Sequence, residues 1–274
     1  MTIDGFLYNG APVDGYEWDA DPPDPDLEGA VTELHPSKIG PAGRIEGILA
    51  VEGREVHYVY AHRPDAIATV FYSHGNYRHI GHYWERVELL WGLGLNVLTY
   101  DYPGYGLSTG EPDEASVYAN AAAALAELPG LPGYDPARLI FFGYSLGAAP
   151  TLELAVRAAA GEGPKARAVI TEAAFCSVEA LVQDGTSLGI SASFLSAHRY
   201  DNCAKIGALG ATPTLILHGE AETFIVPRHA EMLAAQASGP VEVVMVAEGR
   251  HSDLPRVMGV EYGETIARFV RASL

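Results

Sequence analysis

Two hydrophobic rhythms alternate along most of the chain. Short runs dense in β-branched and aromatic residues predict strands over residues 45–51, 55–62, 67–73, 96–101, 138–143, 166–172, 214–218 and 241–247. Between the later runs, apolar residues return every three or four positions, which predicts helices near 81–93, 113–128, 145–160, 227–237 and 258–272. The first two strands are joined closely enough to pair antiparallel. From the third strand onward strand and helix alternate, a pattern that builds an α/β fold with a mostly parallel sheet and helices on both faces. Such sheets gather ligand sites at the carboxyl ends of their strands, in the loops that lead into helices.

Two stretches break the rhythm. Residues 173–211 are less regular and suit a short helical cap inserted between two strands. The first 43 residues form an extension, acidic and proline-broken over Asp19-Ala-Asp-Pro-Pro-Asp-Pro-Asp26, with Phe6, Tyr8, Tyr16 and Trp18 just upstream. Its aromatics suit a strap laid over the domain, or a flap over the site. One core spanning 44–274 is a usual size for an α/β domain.

Composition narrows the partners. At 48% hydrophobic and 19% charged residues, the chain can bury a large core and is unlike a disordered polymer. Seventeen Lys and Arg against 35 Asp and Glu give a formal charge of −18 with no basic run, which sets aside nucleic acid and anionic membranes. No apolar stretch approaches the roughly 18 residues of a membrane span, and Met1-Thr-Ile-Asp-Gly5 lacks the basic start of a signal peptide. A soluble, cytoplasmic protein with no integral membrane association is therefore expected. Cys176 and Cys203 have no CxxC spacing and no dense disulfide pattern around them, so free thiols are expected.

Chemistry enters with Gly143-Tyr-Ser145-Leu-Gly147, which follows the apolar strand Leu139-Ile-Phe-Phe142 and opens a helix. In such an elbow the serine occupies a strained turn, and bulk two residues to either side would strike neighbouring backbone. A serine hydroxyl needs a base to take its proton as it attacks. With G-x-S-x-G elbows the partners follow in the order serine, acid, histidine. Of ten histidines six precede Ser145, and His198, His218 and His229 fall in the irregular stretch, before a suitable acid and inside a helix. His251, in the loop after the strand 241–247, remains as the general base. The acid should follow the strand 214–218, where Glu220 and Glu222 compete and spacing alone does not choose. The oxyanion donors expected are the backbone N–H groups of Leu146 and of Asn76, in the loop His74-Gly-Asn76, with Tyr77 the fallback. His79 and His82, three apart, have no visible third ligand, so no metal is expected, and the machinery needs no cofactor.

Taken together these motifs resemble the small-cap α/β-hydrolase fold with an HGN-type oxyanion loop, akin to α/β-hydrolase-domain depalmitoylases and monoacylglycerol-lipase-like proteins. The likeness spans about residues 44–274. It rests on His74-Gly-Asn76, on Gly94-Leu-Asn-Val-Leu-Thr-Tyr-Asp-Tyr-Pro-Gly-Tyr-Gly-Leu-Ser108, on Gly143–Gly147, on His218-Gly-Glu-Ala-Glu222 and on Gly249-Arg-His251. It implies an eight-stranded-type sheet and places the acid three residues after the glycine, at Glu222. The chain departs from that pattern in using Glu for the usual Asp, in one added residue before Val226-Pro227, and in Tyr77-Arg78 where relatives often carry Ala-Gly.

The expected activity is hydrolysis of a small-molecule carboxylic ester, short to medium in its acyl part, with Ser145, His251 and Glu222 as a triad. Phe175, Leu181 and Phe194 are candidates to line the substrate pocket, with Leu188, Ile190 and Leu195 as further cap residues, and all six would serve equally to dock the cap on the core. Tyr77, in the aromatic stretch 77–84, is a further pocket candidate that would serve equally in packing at a helix start. Thioester, small-amide or peptide-end hydrolysis would use the same triad, and a catalytically degenerate binding module is the non-enzyme alternative.

Overall fold

The computed structural model describes residues 7–18, 27, 38–185 and 197–274. Its strands are β1 (Asn9–Gly10), β2 (Arg44–Val51), β3 (Arg54–Ala61), β4 (Ala68–Ser73), β5 (Tyr77–Arg78), β6 (Leu95–Tyr100), β7 (Leu139–Tyr144), β8 (Ala168–Glu172), β9 (Thr214–Gly219) and β10 (Val241–Val246). Its helices are α1 (Trp84–Gly92), α2 (Glu114–Glu127), α3 (Ala148–Ala159), α4 (Val178–Gly185), α5 (Asn202–Gly207), α6 (Arg228–Gln236), α7 (Leu254–Met258) and α8 (Val260–Ser273). Eight strands form one sheet in the order β10-β9-β8-β7-β4-β6-β3-β2. The β2–β3 and β3–β6 pairs are antiparallel and the rest parallel.

The continuous apolar runs follow from burial on both faces, as expected of parallel strands covered by helices. Successive residues of one strand feed opposite cores. Phe71, Phe141, Val169 and Ile216 pack on one side with Leu125 of α2, Leu152 of α3 and Leu233 of α6. Val70, Phe142, Ile170 and Leu217 pack on the other with Val87 of α1 and Ile266 of α8. Each such side chain contributes roughly 1.5–3 kcal/mol by leaving water. The outermost strand β10 alternates exposed and covered positions instead. Helix α2 begins where the Asp113 carboxylate accepts the Ser116 N–H (2.6 Å) and Ser116 Oγ accepts the Asp113 N–H (2.9 Å), a reciprocal cap that fixes its start.

Between β8 and β9 the cap contributes α4 and α5. Phe194, Leu188, Ile190 and Leu195 lie outside the described residues. The two ends of the cap return to one place, where Val178 N–H donates to Arg199 O (3.0 Å) and Cys203 N–H to Cys176 O (2.9 Å). There Cys176 and Cys203 form a disulfide, their Cα atoms 4.8 Å apart. This corrects the expectation of free thiols: the cysteines are 27 residues apart in sequence, and only the return of the cap onto its own base brings them together.

Within the extension, residues 7–18 are docked on the domain. β1 pairs in parallel with β5, and Pro12 forms a bridge with Gly106. Tyr16 stacks on Trp18 and His57, and Trp18 meets Trp84. Among the described residues no helix is long and apolar enough to cross a membrane.

Candidate active site

The strand β7 ends at Tyr144, and Ser145 turns the chain sharply into α3 at φ +53°, in the left-handed region that disfavours a side chain. Holding a non-glycine residue there costs about 1–3 kcal/mol, so the surroundings must fix it. The two flanking glycines let them do so. A Cβ on Gly147 would stand 2.0 Å from the Ser73 carbonyl oxygen, and one on Gly143 would stand 2.4 Å from the Gly147 carbonyl oxygen. The turn therefore packs directly on the end of β4. Leu146, at the start of the helical turn, is the residue after the serine.

The loop after β10 brings His251 over this turn, with Nε2 2.9 Å from Ser145 Oγ. On the ring's other side Nδ1 lies 2.6 Å from Glu222 Oε2. A carboxylate only accepts, so Nδ1 carries the proton and Nε2 faces the hydroxyl as acceptor. The second oxygen of Glu222 accepts the N–H groups of Phe224 (2.6 Å) and Ile225 (3.3 Å). Burial pushes the Glu222 carboxyl up, but the His251 ring and these two amides outweigh it and hold the group below the usual glutamate range. Glu220 is exposed, and its N–H is bonded to Val246 O. Of the two competing carboxylates, it is Glu222 that reaches the imidazole.

A buried framework behind the histidine had no signature in the sequence. Tyr144 hydroxyl donates to the His251 carbonyl (3.2 Å), and Arg86 Nη2 donates to the Ser252 carbonyl (2.6 Å). Arg86 is paired with Glu172 (2.8 Å), lies 4.1 Å over the Tyr144 ring, and shares Glu172 with the Tyr262 hydroxyl (2.6 Å). These residues come from α1, β7, β8 and α8, so no local pattern joins them. The one available sign was a charge at the end of the apolar strand 166–172. His218 plays a similar part for the acid: its Nε2–H donates to Ile225 O (2.6 Å), and burial lowers its pKa so that the ring stays neutral.

The loop after β4 carries the remaining candidates. His74, fully buried, donates Nδ1–H to Gly75 O (2.7 Å), and burial takes its pKa down to about 4. In a planar trans peptide C=O and N–H point opposite ways, so this bond also orients the Asn76 N–H. The Tyr77 N–H is donated to Tyr83 Oη (3.1 Å) and is committed there. Arg78 lies at φ +56°. The Asp101 motif is a buried hub that accepts from Tyr16 hydroxyl (2.5 Å) and Ile80 N–H (3.0 Å) beside the His57 ring.

The pocket candidates separate. Tyr77 is 45% exposed and meets the His82 ring edge-on, whereas Phe175 is 2% exposed and packs inside the core against Tyr200. Leu181 packs partly on that same core. Phe194 is among the residues not described. Phe224, 58% exposed, was not singled out in the sequence; it stands with its ring 6.0 Å from that of His251. Among the described residues no group of three or more His, Cys, Asp or Glu is arranged to hold a metal ion.

Residues 64–197 match the family model described as serine aminopeptidase, S33. The protein YfhR of Escherichia coli K12 is 28% identical over 211 residues, covering 77% of this chain and 72% of YfhR. Human alpha/beta hydrolase domain-containing protein 17B is 31% identical over 221 residues, covering 77% of this chain and 69% of the human one. Among solved structures, the Pyrococcus furiosus esterase Pf2001 superposes with a TM-score of 0.72 over 97% of both chains at 14% identity, a likeness of fold.

Proposed function

Because the chain belongs to the α/β-hydrolase superfamily, we propose that it is a serine hydrolase that cleaves carboxylic esters of short to medium acyl length through an acyl-enzyme intermediate. One observation carries this reading: the unbroken hydrogen-bonded path from Ser145 Oγ through the His251 ring to Glu222. Ser145 Oγ attacks the ester carbonyl carbon while its proton passes to His251 Nε2. Glu222 keeps the ring in the required tautomer and stabilises the imidazolium that forms. The carbonyl oxygen gains negative charge and is received by the N–H groups of Asn76 and Leu146. As the tetrahedral adduct collapses, Nε2 returns the proton to the departing alcohol. Water then gives its proton to Nε2 and attacks the acyl-serine, releasing the acid and restoring the hydroxyl.

The short cap helices favour a modest acyl chain over a long one. The esterase name of the Pyrococcus neighbour favours an ester, and the aminopeptidase name of the matched family makes an aminoacyl amide the second substrate to try. The test is treatment with a fluorophosphonate and turnover of p-nitrophenyl esters, from acetate to octanoate, beside aminoacyl p-nitroanilides. Ser145→Ala should abolish labelling and lower kcat about 10⁴-fold or more. Labelling that survives in this variant moves the nucleophile elsewhere.

A further inference from the structure

Residues 8–13 run between two loops at the carboxyl edge of the sheet and tie both. On one side Asn9 N–H donates to the Asn76 carbonyl (3.0 Å) and Ala11 N–H to the Arg78 carbonyl (3.0 Å). On the other, Gly106 N–H donates to the Ala11 carbonyl (3.1 Å) and Val13 N–H to the Gly106 carbonyl (3.0 Å). Tyr105 closes the seam between them. Its hydroxyl donates to the Asn76 carbonyl (3.0 Å) and accepts from Asn9 N–H (3.0 Å). Its ring lies against Gly10, where a Cβ would stand 2.6 Å from a ring carbon.

We propose that Asn9, Gly10 and Ala11 of the strap, together with Tyr105, are positioning residues for the oxyanion hole. They hold the backbone of residues 76–78 so that the Asn76 N–H is aimed at the substrate carbonyl oxygen. This rests on the serine-hydrolase reading above and extends it to a segment outside the domain that the motifs define.

Rigidity is the argument. The peptide between Asn76 and Tyr77 is held through its carbonyl by Asn9 and Tyr105 and through its N–H by Tyr83. The peptide between Gly75 and Asn76 is held through its carbonyl by His74. With both planes fixed, the two soft dihedrals of Asn76 have no freedom left. The next turn needs outside help, because Arg78 occupies the left-handed region without being glycine. The strap supplies that help at the same residue, through Ala11. Its ends are anchored as well, Tyr16 hydroxyl on Asp101 (2.5 Å) and Tyr8 hydroxyl against that of Tyr200 at the end of the cap (2.6 Å). An oxyanion donor acts chiefly on the charge that develops in the transition state. A loosened strap therefore lowers kcat and leaves KM nearly alone.

The experiment compares Tyr105→Phe and Gly10→Ala in the full-length protein, with Ser145→Ala alongside. Tyr105→Phe removes one hydroxyl and should lower kcat several-fold; Gly10→Ala lifts the strap off the Tyr105 ring and should lower it about 10- to 100-fold. KM should stay within about threefold. Affinity for a trifluoromethyl ketone, whose serine adduct carries the oxyanion, should fall in proportion to kcat/KM. A purely structural strap would lower Tm and leave kcat and ketone affinity of the folded protein at wild-type values, and that result overturns the proposal. Should Gly10→Ala fail to fold, the near-isosteric Tyr105→Phe decides. Turnover that persists in Ser145→Ala would overturn the reading of Ser145 as the nucleophile, a failure distinct from wild-type kcat in Tyr105→Phe.

Discussion

The turn at Ser145 and the turn at Asn76–Arg78 both carry a non-glycine residue in the left-handed region, at φ +53° and +56°. They are held there by opposite means. Around Ser145 the restraint is local: Gly143 and Gly147, two residues to either side, remove the side chains that would keep the elbow off the end of β4. Around Arg78 no glycine lies within two residues on either side, and hydrogen bonds from residues 9 and 11, some seventy positions earlier in the chain, hold the turn instead. The difference teaches that one site can combine a part that folds its own shape with a part that borrows its shape from another segment. The first kind is written in the residues beside it; the strap contacts that complete the second leave no motif.

The largest effect should come from spoiling the locally held turn. Gly147→Ala places a Cβ where the Ser73 carbonyl oxygen already sits, 2.0 Å away, and backbone on both sides leaves little room to yield. Turnover of p-nitrophenyl ester should fall about 10³-fold or more, with fluorophosphonate labelling slowed in parallel. Labelling at the wild-type rate would mean that the elbow does not need its glycine, and the local account would be lost.

The acid loop lies between the two cases. Glu222 is held partly by its own loop, through the Phe224 and Ile225 amides, and partly from β9, where His218 grips the Ile225 carbonyl. Glu222→Gln keeps the shape, but the amide can turn a donor toward the imidazole and favour the wrong tautomer. A fall in kcat of about 10²- to 10⁴-fold is expected, while Glu220→Gln should stay within about twofold. A larger loss in Glu220→Gln would reverse the assignment of the two carboxylates.

These contrasts also explain what could be foreseen. The strands and helices of the main sheet and its covering layers were legible because each is a local pattern, and the strand expected at 138–143 appears at Leu139–Tyr144. Ser145 and His251, whose ring the structure places within hydrogen-bond distance of both Ser145 and Glu222, were legible because each sits at a strand end in a short motif, whereas Glu222 was favoured over Glu220 only by the family resemblance. The expected helix 145–160 instead starts with a tighter turn at Ser145–Gly147, since the left-handed serine delays the α-helix to Ala148. The Arg86–Glu172–Tyr262 framework, the Cys176–Cys203 disulfide and the seam between strap and oxyanion loop were not legible. Each joins segments distant in sequence through side chains or backbone groups whose meeting depends on the finished fold.

The smallest effect expected is one of pH, and on the oxyanion side it comes from His74. His74, which orients the peptide of Asn76, titrates near 6.5 in the unfolded chain but is taken down to about 4 by burial in the native one. Between those values only the unfolded chain takes up the proton. Its contribution to stability is therefore complete above pH 6.5 and is lost progressively as pH falls toward 4. Between pH 7.5 and 5.5 the loss should be about 1 kcal/mol, and buried His229, also held near 4, should add a similar amount. Urea midpoints at the two pH values, with the m-value unchanged, measure it. His74→Gln retains a side-chain donor for the Gly75 carbonyl and removes the titrating ring, so its stability should fall by about 1 kcal/mol less over the same range. An equal fall in the variant would show that the ring under the oxyanion loop is not kept neutral by the fold.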